Sequence, residues 1–205
     1  KKKIVRRYAK IIVGDIVKQI HENMDKQTSY VYTIQKDLIL FGKQDRRVRS
    51  DGGEQNFRKT FADKARIRDY IFTGYKKSYY SENCFDSDTE RLFSIILEDD
   101  VEVLKWVKPP LNRLGIYWKP GSQYTPDFIV ETATTKYMVE VKAKNEVSNE
   151  EVQLKAKEGI KWCSYATKVD KDGKPWVYCL ISDNNIQVGN TCKYTLGLAV
   201  KFEED

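Results

Sequence analysis

The second half of the chain predicts an α/β fold, a mixed β-sheet core flanked by helices, and three observations predict it. Ser87 followed by Glu90, and Ser148 followed by Glu151, are helix-start signals, each opening an amphipathic run. Between them, residues 127–130 and 137–142 alternate in the period of two that marks a strand. After the second helix, "WVYCLI" (176–181) is apolar on both faces, as a strand covered on each side must be. Helix, strands, helix, buried strand is an α/β order.

Taken in order, the apolar residues Ile4, Tyr8, Ile11, Ile12 and Ile20 recur at helical spacing and predict an amphipathic helix with a basic outer face. "YVYTI" and "LILFG" read as short strands, and "RRVRSDGGE" as an exposed loop. "NFRKTFADKARIRDYIF" reads as a helix ending at Gly74. Residues 1–80 are therefore expected to form a basic mixed α/β linker or docking region, and 81–205 a second domain. In that domain Leu92, Phe93, Ile96 and Leu97 make the stripe of the first helix. "VEVLKWV" is a strand stopped by Pro109 and Pro110, and "GIYW" leads to a Pro-Gly turn at 120–121. Along the two central strands Phe128 and Val130 oppose Asp127 and Ile129, while Tyr137, Val139 and Val141 oppose Met138, Glu140 and Lys142. "TATTK" turns the chain between them. The last helix carries Val152, Ala156, Ile160 and Cys163 on one stripe, and "DKDGKP" turns into the buried strand.

Composition excludes several classes. At 205 residues and 40% hydrophobic the chain can bury a core without disulfides. Its four cysteines form no C-x-x-C pair, which fits a reducing, cytoplasmic setting and argues against a zinc site. The single histidine, His21, leaves histidine-based metallohydrolase designs without their parts. No apolar run reaches the roughly 18 residues of a membrane span. The 36 basic against 30 acidic residues give +6, and the surplus lies among tyrosines and phenylalanines in the first 80 residues, a pattern that suits a phosphate backbone. The chain opens on "KKK" without methionine, the expectation for a piece of a longer protein.

The chemistry-bearing stretch is 124–147, "YTPDFIVETATTKYMVEVKAKNEV". If the two strands pair, Asp127 comes beside Glu140 and Lys142. Two neighbouring carboxylates repel, and a divalent cation with a lysine relieves them. Magnesium prefers oxygen ligands, so Asp127 and Glu140, with the main-chain carbonyl of Val141, are the candidate ligands, and Lys142 is placed to reach an attacking water or the charge developing on a phosphate.

Pro126-Asp127, then Glu140-Val141-Lys142, resembles the PD-(D/E)xK nuclease motif. The resemblance implies a restriction-endonuclease-like mixed sheet, Mg2+ on the motif carboxylates, and a further acidic residue on the preceding helix, where Glu90 stands. More narrowly, "FDSDTERLFSIILEDDVEVLKWVKPP", "IYW", "YTPDF" and "YMVEVK" resemble the C-terminal endonuclease domain of the restriction (Res) subunit of type III restriction-modification enzymes, over roughly residues 85–165. That likeness implies DNA as substrate, a helicase-like motor region in the same full-length protein and a methyltransferase (Mod) subunit that recognises sequence. No G-x-x-x-x-G-K-[ST] occurs, so ATP would be used only through a motor outside this chain.

The site expected is thus catalytic Asp127, Glu140 and Lys142, with Glu90 and Tyr124 as further candidates. Lys157 and Lys161 on the last helix are the candidate DNA-backbone contacts. Glu90 also has a complete structural role as cap partner of Ser87. The competing expectations are a transposase-like or repair nuclease of the same fold, or a DNA clamp or docking module without chemistry.

Overall fold

The computed structural model describes residues 52–111, 113–170 and 173–202. All of them lie in one compact unit. The helix expected over 4–21, its His21, and the strands at 30–34 and 38–42 lie outside the described residues, as does most of the 46–54 loop.

The described chain is mixed α/β. Its centre is a four-stranded sheet of β4 (Val103–Val107), β7 (Phe128–Thr132), β8 (Lys136–Lys142) and β9 (Trp176–Ser182), in that order. The first three strands run antiparallel to their neighbours, and β9 is parallel to β8. A parallel neighbour requires a crossover, and helix α2 (Glu150–Val169) supplies it. Helix α1 (Asp88–Asp99) precedes β4. The hairpin β5 (Ile116–Lys119) and β6 (Ser122–Tyr124) turns at Gly121, whose φ of 70° is the left-handed conformation glycine tolerates. A three-stranded sheet of β1 (Glu54–Asn56), β2 (Ile71–Thr73) and β3 (Glu82–Asn83) comes first in the chain, and α3 (Cys192–Gly197) last.

Alternation decides which residues face which layer. Phe128, Val130, Val139, Val141, Cys179 and Ile181 join Phe93, Ile96 and Leu97 of α1 in the main core. Met138 and Ile129, on the opposite face, pack with Tyr124 and Cys163, and Leu180 packs on Val152 and Ala156 of α2. β9 is therefore covered on both sides, as its double-faced apolar sequence requires. Phe128 is the aromatic hub, with ring centroids 5.2 Å from Phe93, 5.8 Å from Trp106 and 6.2 Å from Phe85.

Three expectations shift. Residues 56–72 are not one helix: Asp63 caps a six-residue 3-10 segment, Lys64–Asp69, and β2 follows directly. The spacing of Phe57, Phe61 and Phe72 that imitates a helical stripe instead serves an aromatic cluster in which Phe61 touches Tyr70 and Phe72. Phe57, Ile67 and Phe72 lie in the same core as Phe93 and Phe128, while the cations between them surface. At the start of α2 the cap is Asn149, one residue beyond Ser148, its side chain accepting from Glu151 N at 2.9 Å. On the buried stripe of α2, Gly159 replaces the expected Ile160, which is 37% exposed. A Cβ at 159 would meet Tyr178 at 2.5 Å and the Tyr124 hydroxyl at 2.6 Å, so glycine is what lets the helix approach the sheet. Among the described residues no helix is long and apolar enough to cross a membrane.

Candidate active site

The pairing of β7 with β8 builds the site. Phe128 faces Val139 and Ile129 faces Met138, so continuing the register sets Asp127 opposite Glu140 and Pro126 opposite Val141. Proline has no N–H to add to the ladder, and the Asp127 carboxylate accepts from Val141 N at 2.8 Å. The Asp127 carboxylate thereby stands in for a main-chain acceptor at the end of the ladder. Glu140 and Lys142, two residues apart, project on one face, with Lys142 Nζ 2.6 Å from Glu140 Oε1. The sequence-predicted trio is brought together.

Its electrostatics are unfavourable by construction. Burial first, then the neighbouring Glu140 charge, pushes the Asp127 carboxyl up to about 6, against the pull of Lys108, Lys142 and the Val141 N–H. Burial also raises Glu140 above the usual carboxylate range, with Lys142 opposing. Glu140 is 5% exposed, and its Oε2 is buried with no hydrogen-bond partner. An orphaned carboxylate oxygen is costly. For Lys142 burial works to lower the pKa, but Glu140 and Asp127 outweigh it and the ammonium is held above its ordinary value.

Glu90 reaches the same cluster from the first turn of α1. Ser87 accepts from Glu90 N at 3.2 Å and donates to Glu90 Oε1 at 3.1 Å, so the expected capping role is filled. Its other oxygen, Oε2, accepts from Lys108 Nζ at 2.7 Å. Burial raises the pKa of Glu90, and the charge on Asp127 adds to that rise, which shows the two carboxylates share one field.

Lys108 is the site residue that sequence reasoning missed. It leaves the end of β4 just before Pro109, its Nζ also 3.5 Å from Asp86 and 5.8 Å from the centre of the Phe128 ring. Burial would lower its pKa, yet Glu90 and Asp127 together raise it. The available signal was its place, one residue past an apolar strand and directly ahead of a helix- and ladder-breaking Pro-Pro.

The remaining candidates separate. Tyr124 is buried, and its hydroxyl donates to the Lys155 carbonyl at 3.0 Å, tying the β6 end to α2. Lys157 is exposed, and Lys161 is exposed and paired with Glu158 at 2.7 Å. The lysine of α2 whose charge reaches Glu140 is Lys155, which also lies 4.9 Å over the Trp118 ring.

Among the described residues no three His, Cys, Asp or Glu side chains gather as a metal-holding group. Asp127 and Glu140 do feel each other's charge, and the unpartnered Glu140 Oε2 is the donor that a hard cation would satisfy. The chain matches no model of a known protein family and no curated protein.

Proposed function

We propose that this chain carries a magnesium-dependent endonuclease domain that hydrolyses DNA phosphodiester bonds, of the kind found in the restriction subunit of type III restriction-modification enzymes. The observation that carries the reading is the Asp127, Glu140 and Lys142 cluster at one strand edge, with an orphaned carboxylate oxygen buried inside it. The sheet order β4-β7-β8-β9, with α1 ahead of it and α2 crossing to a parallel β9, supports a restriction-endonuclease-like core.

In this reading Asp127 and Glu140, with the Val141 carbonyl, would hold Mg2+, which when bound would supply Lewis-acid polarisation of the phosphate and a more acidic water. Lys142, held beside Glu140 as an ammonium, places a positive charge where the phosphate becomes more negative and can donate a proton. Glu90 and Lys108 fix the back of the site. The main core beneath keeps these groups rigid, since β7 and β8 are anchored by Phe128 and Val139. Strand cutting by one such site leaves a nick, so a double-strand break takes two copies. Sequence recognition and ATP use belong, in this reading, to a methyltransferase subunit and a motor region.

The test is plasmid nicking in Mg2+ by the wild type, Asp127→Ala and Lys142→Ala, beside a Mn2+ titration of each. Nicking by the wild type alone supports the enzyme reading. Equal behaviour of the three proteins removes it and leaves a DNA clamp.

A further inference from the structure

Resting on that reading, we infer that the Lys108 ammonium is a built-in counter-ion that holds the place of a second divalent cation, so that the site takes one metal ion. Three carboxylates feel one another's charge, Glu90 with Asp127 and Asp127 with Glu140, and two of them carry a lysine each: Lys108 on Glu90 at 2.7 Å and Lys142 on Glu140 at 2.6 Å. With the three ionised, one negative charge is left uncompensated. One divalent ion turns that into a single positive charge, which a phosphodiester neutralises. A second ion would leave the loaded site doubly positive in a buried pocket, where an unpaired charge is expensive.

Geometry makes the same point. The two lysines enter from different strands, Lys108 from the end of β4 and Lys142 from β8, and Asp127 immediately precedes β7, the strand between those two in the sheet. Glu90 is engaged on both oxygens, Oε1 by Ser87 and Oε2 by Lys108 and the Asp86 N–H, so a fixed ammonium already answers its charge. Glu140 is the opposite case, with Oε2 unpartnered. Lys108 is itself pinned: Pro109 follows it, its side chain is 18% exposed, and Asp86 stands 3.5 Å away on the outer side. Lys155, which also acts on Glu140, is already paired with Glu151 and adds charge only from the rim.

Lys108 is on this account a positioning residue, and ion stoichiometry reads its role directly. The whole chain is titrated with Mn2+ alone by calorimetry, as wild type, Lys108→Met, Lys108→Gln and Lys108→Arg, with thermal melts confirming the folded state. One ion is expected for the wild type and for Lys108→Arg. The two neutral variants should bind a second ion, or bind the first at least tenfold more tightly, because Glu90 is released to coordinate. Lys108→Gln removes the charge with a polar side chain and carries the comparison if Lys108→Met fails to fold. Two ions in the wild type overturn the inference, whatever the variants do. One ion at unchanged affinity in the folded neutral variants overturns it too, and leaves the nuclease reading standing. No ion bound by the wild type at millimolar Mn2+ removes the nuclease reading, and the inference falls with it.

Discussion

At the hairpin end of β7 and β8, Glu131 accepts from Lys174 at 2.6 Å and pairs with Lys105 at 3.1 Å, and Lys136 next to it pairs with Asp170 at 2.7 Å. At the other end of the same two strands, Asp127 and Glu140 share their surroundings with two lysines as well, yet both carboxyls are pushed up. Burial raises Glu131 too, but the hydrogen bonds from its two lysines outweigh it and its pKa is lowered. The number of cations is not what separates the ends. At Glu131 every charge has a partner and water is near. At the Asp127 end the carboxylates face each other in a drier place, and one oxygen goes unserved. Clustering that lowers stability is what a ligand site looks like, whereas the hairpin end is an ordinary ion-pair network.

The largest difference between the ends should be in catalysis. Glu140→Gln keeps the shape of the side chain and removes its charge, and it should lower Mg2+-dependent nicking by about a hundredfold or more, the scale of losing a catalytic group. Glu131→Gln, four residues from Asp127 along β7, should leave the rate within about twofold, since its cost is confined to a partly exposed pair. Comparable losses from both substitutions would erase the distinction.

The next difference lies in packing. Gly159→Ala places a methyl against Tyr178 and the Tyr124 hydroxyl, both on the α2 side of the sheet near the Asp127 end. Overpacking of this kind costs about 1–3 kcal/mol, read as a lowered Tm. Nicking should fall further than stability explains, because Tyr124 and the Lys155 backbone are joined and move together.

Stability without metal should change in opposite directions at the two ends. Asp127 has a folded pKa of about 6, above its ordinary 3.8, so the native state disfavours its ionised form. That penalty is full above about pH 6 and is relieved as pH falls through 6 toward 3.8. Asp127→Asn, which still accepts from Val141 N, should therefore raise Tm at pH 7–8 and lose that advantage below pH 4. Glu131 has a lowered folded pKa, so its contribution is present above its ordinary 4.5 and is lost as pH falls through the folded value. Glu131→Gln should lower stability at pH 7, by about 1 kcal/mol or less, and be neutral in strong acid. Chemical denaturation at pH 4 and pH 7.5 in chelator reads both signs.

Much of this was legible in the chain because alternation and capping are local. Phe128, Val130, Val139 and Val141 can share a face only one way, and once they do, Glu140 and Lys142 must share the other. Ser87 with Glu90 fixed the start of α1 for the same reason. What escaped depended on long-range packing. Aromatics at 57, 61 and 72 look helical until Tyr70 and the main core claim them. Lys108 becomes a site residue only when β4 lies next to β7, 20 residues and a separate hairpin later. The missing Cβ of Gly159 is likewise silent in a sequence, since only Tyr178, on a strand after the helix, gives it meaning.

The smallest expected effect concerns which face of α2 would look at DNA in the proposed nuclease. Val152, Ala156, Gly159 and Cys163 fix the buried stripe, and Lys155, three residues after Val152 and four before Gly159, flanks that stripe on the site's side. Lys157 lies exposed, and Lys155 and Lys161 each pair with a glutamate of their own helix, Glu151 and Glu158, so the face of the helix and not the pairing sets them apart. Lys155→Ala should thus reduce the salt dependence of DNA binding by about one unit of slope, the signature of one lost phosphate contact. Lys157→Ala and Lys161→Ala should each leave the slope within about 0.3 of the wild type, for a cation that never meets a phosphate releases no counter-ion. Fluorescence anisotropy with a short duplex, in Ca2+ to prevent cleavage and at three or more salt concentrations, separates them. A slope change at Lys157 equal to that at Lys155 would mean that the duplex lies across the outer face of the helix, away from the strand edge where Asp127 and Glu140 meet.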